Sequence, residues 1–132
     1  LKKEDDRKEL LKVATNGNKN FFMGTDSAPH YIHDKENECG CAGVFNTINS
    51  IETLTQLFYN EKKLNNLEKF VSINGSKHYG LKINKEKICL RKFSKPISFP
   101  DYLKVDSNNK IKVFKPPFKV FWKQTKEMMP TK

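Results

Sequence analysis

Phe21-Phe22-Met23-Gly24-Thr25-Asp26-Ser27-Ala28-Pro29-His30 is the stretch on which the fold turns. Its apolar opening, Phe21 to Gly24, is short and continuous, the pattern of a strand buried on both faces rather than one that alternates between core and solvent. The run ends by delivering a carboxylate, Asp26, and then an imidazole, His30, into a loop. Parallel α/β barrels build their active sites at the carboxyl ends of strands, and Asp26 falls at such a place. Pro29 keeps Ala28 extended and stiffens the turn that aims His30.

Working upstream, Lys3 to Thr15 predicts a helix, with Leu10, Leu11, Val13 and Ala14 as its apolar patch and Asn16-Gly17-Asn18 as its stop. Helix, short loop, strand and functional loop make one αβ step of a repeating fold. Downstream, residues 27–47 carry Pro29, Gly40, Gly43 and many charges with little periodicity, so they read as one long loop, a kind that is usually functional or disordered. Asn49 with Glu52 resembles a capping box opening a helix on which Ile48, Ile51, Leu54, Leu57 and Phe58 recur at helical spacing. A second helix is predicted from Asn65 through Val71, ended by Asn74-Gly75. Beyond Leu81 the pattern turns to strands: 87–93, 110–114 and, after Pro116-Pro117, 119–122.

Two segments taken together, Gly24-Thr25-Asp26-Ser27-Ala28-Pro29-His30 and Cys39-Gly40-Cys41-Ala42-Gly43, resemble the last barrel strand and following loop of the dihydroorotase family of the amidohydrolase superfamily. The likeness runs to about Leu81 and weakens beyond it. It implies an α/β fold, the carboxyl-terminal part of a (β/α)8 TIM-type barrel, with 1–81 as the last αβ step, active-site loop and covering helices and 82–132 as a β-rich appendage. It also implies a hydrolase that interconverts N-carbamoyl-L-aspartate and (S)-dihydroorotate in pyrimidine biosynthesis. Asp26 would ligate one zinc of a two-zinc centre and exchange a proton with the attacking hydroxide, because that oxygen must lose a proton and the leaving nitrogen must gain one. His30 would bind a substrate carboxylate, and Ala42 would offer its backbone N–H, with Gly40 and Gly43 letting the main chain come close. Assembly as a homodimer is the family expectation. A hydantoinase-like amidohydrolase shares the strand-end aspartate, but the Ser-Ala-Pro-His continuation and the Cys-Gly-Cys-Ala-Gly segment favour dihydroorotase.

Each residue also has a plainer reading. Asp26 would simply cap the following turn, His30 would be a surface imidazole, and Ala42 would sit in a flexible turn. A rival constellation, His30, His33, Cys39 and Cys41, could close around one structural zinc, and with a net charge of +10 it would suggest a nucleic-acid-binding module. Against that, Cys-x-Cys is a poor zinc spacing, and Lys and Arg alternate with acids as on solvated helix faces. His33, His78, Lys35, Glu36 and Glu38 read as structural or solvated, and Trp122 with Phe118 and Phe121 as packing. Three cysteines suit free thiols of a reducing cytoplasm rather than a disulfide framework. No run approaches the roughly 18 apolar residues of a membrane span.

Length sets the remaining expectation. The chain has 132 residues and begins at Leu1, whereas a TIM barrel takes about 250. It therefore reads as the carboxyl-terminal portion of a longer enzyme, inactive without the amino-terminal remainder that carries the other metal ligands.

Overall fold

The computed structural model describes residues 3–38 and 40–126. Helix α1 spans Glu4–Thr15, with Glu4, Asp5 and Asp6 in its first turn and Lys12 in its last, charges that suit the helix dipole. The Asp6 carboxylate accepts the Lys3 N–H at 2.9 Å, satisfying one of the free amides at the helix start. The helix stops at Asn16, and Gly17 follows at φ +82° with Asn66 so close that a Cβ would lie 2.8 Å from its Oδ1. Only glycine serves both demands. Asn66 then donates to the Thr15 carbonyl at 3.0 Å, tying the end of α1 to the distant turn.

Residues 21–30 lie outside helices and strands and pair in no β-ladder among the described residues, so the strand expected at 21–24 is not formed here. A central parallel strand needs a neighbour on each side, and this segment instead hydrogen-bonds to helical turns. Met23 N–H donates to the Phe70 carbonyl at 3.0 Å, and Asn74 Nδ2 donates to the carbonyls of Asn18 and Phe21 at 3.1 and 3.0 Å. The TIM barrel is accordingly not seen in this chain.

Two short elements interrupt the predicted long loop: α2, Ile32–Lys35, and a 3-10 turn, Thr47–Asn49. Helix α3, Ser50–Asn60, follows where expected, but without the capping box. Asn49 is 1% exposed and turns its amide outward to the tail, donating to the Phe114 carbonyl at 2.7 Å, while Glu52 accepts the Gln124 N–H at 3.3 Å. Both side chains have longer-range partners than the helix end. The expected apolar stripe is likewise partial, since of its residues only Phe58, 1% exposed, is buried. Gln56 shares that face because it accepts the Phe121 N–H at 2.9 Å and donates to Asn60 at 2.7 Å.

The helix expected at 65–71 is broken into a 3-10 turn, Leu64–Asn66, and a π-helical turn, Lys69–Ile73, that leads straight into α4, Asn74–His78. Asn74-Gly75 therefore does not end the helix. Asn74 is the clamp just described, and Gly75 lets Phe22 approach, a Cβ there falling 3.3 Å from its ring. The actual end is Gly80, at φ +65°.

Strand β1 (Cys89–Lys92) pairs antiparallel with β4 (Trp122–Thr125), and β2 (Tyr102–Lys104) pairs antiparallel with β3 (Lys110–Lys112). The strand expected at 119–122 thus lies further on, and β2 was not anticipated. Both two-stranded sheets rest on the preceding part of the chain. Tyr31 bridges to Ile111 and Phe45 to Val113, Trp122 packs on Tyr59 at 5.6 Å between ring centroids, and Val113 and Val120 join Phe58 and Leu67 as the buried apolar side chains. No described helix is long and apolar enough to cross a membrane.

Candidate active site

The segment after Gly24 and residues 42–46 lie side by side in antiparallel sense. Ala28 N–H donates to the Val44 carbonyl at 2.9 Å, and His30 Nε2 meets the Ala42 carbonyl at 3.1 Å. On the other flank, Asn46 N–H donates to Ser27 Oγ at 3.2 Å and its side-chain amide to the Thr25 carbonyl at 3.3 Å. With 28 facing 44 and 30 facing 42, the register sets Asp26 across from Asn46. Gly43 makes the approach possible, because at φ +90° its missing Cβ would fall 2.7 Å from the Ala28 methyl.

Asp26 sits at φ +43°, one of two non-glycine residues with positive φ among those described. Asp is among the few side chains that tolerate this region, at a cost of about 1–3 kcal/mol that the surrounding structure must hold. Its carboxylate is exposed and has no hydrogen bond or ion pair among the described residues. It does not cap its own turn, the plainer role open to it. An unpaired, solvent-facing carboxylate on a strained backbone fits a cation ligand, and it is the one such group among the described residues of this loop pair.

His30 is half-buried and its Nε2 faces a carbonyl, which can only accept; Nε2 therefore carries the hydrogen and Nδ1 is the nitrogen left for a ligand. His30 also lines a cleft of about 470 Å³ together with Lys35, Glu36, Asp101, Lys112 and Lys115. Lys112 pairs with Glu36, and Lys115 with Asp101, leaving the cleft nearly neutral. Asp26 and Ala42 are not on that cleft wall.

His33 points elsewhere, stacked on Tyr31 at 5.5 Å and 3.4 Å from Asp34. The rival zinc set is not assembled: among the described residues no three His, Cys, Asp or Glu side chains gather into a metal-sized cluster, and Cys39 lies outside them. Cys41 and Cys89 carry free thiols.

Lys35 was not expected to matter. It is half-buried, and its ammonium donates to the carbonyls of both Cys41 and Gly43. In sequence it stands among alternating charges and reads as solvated; only the single turn of α2, fixed by Lys35 N–H to the Tyr31 carbonyl at 3.1 Å, swings it under the loop.

The chain is 42% identical over 124 residues to the dihydroorotase of Rhizobium meliloti and 42% identical over 121 residues to that of Sinorhizobium medicae, covering 94% and 92% of this chain. Among solved structures, dihydroorotase of Saccharomyces cerevisiae in complex with 5-fluoroorotic acid superposes with a TM-score of 0.83 at 35% identity, over 94% of this chain. Dihydroorotase of Campylobacter jejuni superposes with a TM-score of 0.74 at 28% identity, again over 94% of this chain. No family model matches. The likeness therefore does not stop near Leu81 but continues through the β-rich tail. The chain is thus similar to the carboxyl-terminal part of dihydroorotases, and it spans about a third, 35%, of the length of the relatives it matches.

Proposed function

We propose that this chain works as the carboxyl-terminal segment of a zinc-dependent dihydroorotase, with residues 1–81 as the last αβ step of a TIM-type barrel and 82–132 as its β-rich cover. The observation that carries the reading is the register of the loop pair, which sets His30 against Ala42 and leaves the Asp26 carboxylate strained and unpaired beside them. Burial supports the incompleteness. Among the described residues four apolar side chains are buried while Phe21, Val44, Ile48, Tyr79, Leu81, Ile83 and others are exposed, apolar surface open to a covering segment. The remaining two thirds of the enzyme would cover that surface and bring the other metal ligands.

In this reading Asp26 is the residue of this chain that would hold zinc, which would supply a nucleophilic oxygen at neutral pH and polarise the amide carbonyl. An Asp26 carboxylate oxygen takes the proton released as the ring amide of dihydroorotate is attacked. It returns that proton to the ring nitrogen as the C–N bond breaks, giving carbamoyl aspartate; ring closure runs the same transfers in reverse. His30, its Nε2–H spent on Ala42, meets the substrate carboxylate through Nδ1 when doubly protonated. The Ala42 N–H is the second anchor.

Asp26→Asn in the full-length enzyme tests the assignment. Loss of the proton acceptor is expected to lower turnover in both directions by about 100- to 10,000-fold with an unchanged fold by circular dichroism. Activity within a few-fold of the parent would overturn it.

A further inference from the structure

We propose that Lys35 is the positioning residue of this site, orienting the Ala42 N–H toward the substrate; the inference rests on the dihydroorotase reading above. Three successive carbonyls are captured: Cys41 and Gly43 by the Lys35 ammonium, Ala42 by His30. In a trans peptide unit the C=O and the following N–H point in opposite directions. Fixing the Cys41 carbonyl on Lys35 therefore fixes the Ala42 N–H facing away from Lys35. Fixing the Ala42 carbonyl on His30 likewise turns the Gly43 N–H away from His30.

Neither N–H has a hydrogen-bond partner among the described residues, whereas Cys41 N–H next to them donates to the Asp34 carbonyl at 3.1 Å. The loop is thus pinned by its acceptors with its donors free, the arrangement needed to receive a carboxylate. Without Lys35, the glycines on both sides of Ala42 would allow the 41–42 peptide to turn over and withdraw the donor. An ammonium suits the task because it offers three donors from one atom and can serve two carbonyls at once. Its positive charge also lies behind an anion-binding loop.

The test uses the full-length enzyme, with 5-fluoroorotate as the binding probe and steady-state kinetics with dihydroorotate. Lys35→Met, which keeps the alkyl stem, is expected to raise the probe Kd and the KM by about 10-fold or more. Turnover at saturation should stay within about threefold and zinc content unchanged, with faster amide exchange confined to residues 40–44. Lys35→Arg, which retains paired donors, should recover most of the affinity. If Lys35→Met does not accumulate, Lys35→Gln, able to reach one carbonyl only, is read in its place. Unchanged KM and Kd, or a fall in turnover without a change in affinity, would overturn the proposal. His30→Ala run alongside separates the two readings: weakened binding there with no effect at Lys35 removes Lys35 alone, while no effect in either removes the substrate assignment on which it rests.

Discussion

Asn74→Ala should unfasten the segment that carries Asp26, and its cost can be worked from two hydrogen bonds. Asn74 is 6% exposed and its Nδ2 donates to the Asn18 and Phe21 carbonyls. The Asn18 carbonyl also accepts the Phe21 N–H at 3.1 Å and keeps that partner after substitution, so its loss is an ordinary hydrogen bond, about 0.5–1 kcal/mol. The Phe21 carbonyl keeps no partner among the described residues, and an orphaned acceptor costs about 1–3 kcal/mol. Alanine is the better helix former by up to about 0.7 kcal/mol, which offsets part of this at the start of α4. The net expectation is a loss of about 1–3 kcal/mol, a sizeable fraction of the 5–15 kcal/mol typical of a folded domain. Urea unfolding of the full-length enzyme reads it as a lower midpoint at unchanged slope. Asn74→Asp, which keeps the shape but turns an acceptor toward the two carbonyls, should be no milder. A loss below about 0.5 kcal/mol for the alanine variant, or a milder effect of aspartate, would refute the bookkeeping.

His30→Ala should raise KM for dihydroorotate, with the lost charge-assisted contact equivalent to roughly 1.5–3 kcal/mol, and leave zinc content intact by metal analysis; loss of zinc would return His30 to the ligand set of the structural-zinc alternative. Gly43→Ala places a Cβ 2.7 Å from the Ala28 methyl at φ +90°. The strain should cost about 1–2 kcal/mol for the backbone and about 1–3 kcal/mol for the clash, relieved by parting of residues 28 and 44. KM should therefore rise by a larger factor than the melting temperature shift accounts for, and a variant with parental KM and melting temperature would show that the two segments need not touch.

Local chemistry made part of this legible in the sequence. Helix α1 carries its own start acids and its own Asn-Gly stop, and α3 its own periodicity, so both stand where the pattern put them. Asp26, His30 and Ala42 stand out as candidates because they lie in short motifs whose order along the chain carries the resemblance. The misreadings share one cause, partners far away in the chain. Asn74-Gly75 has the composition of a helix stop, yet its amide is spent on carbonyls more than fifty positions earlier and its missing side chain on Phe22. Asn49 and Glu52 look like a cap until the tail arrives to claim them. The last strand lies further on because its partner is β1, which pairs Lys92 with Trp122 and Cys89 with Thr125. Lys35 could not be found from its neighbours at all, since its carbonyl partners lie across a loop.

The distribution of strain around Asp26 follows from the same lacing. A residue at φ +43° relaxes unless both flanks are held. Thr25 on one side is held through its carbonyl by Asn46, while Ser27 and Ala28 on the other are held through Oγ and N–H by Asn46 and Val44. One asparagine thus grips both neighbours of the aspartate without touching its carboxylate. Backbone strain is borne by the loop pair, and every carboxylate lone pair stays available. Holding the backbone and sparing the side chain is how this segment keeps Asp26 fixed in place with its carboxylate open to a ligand.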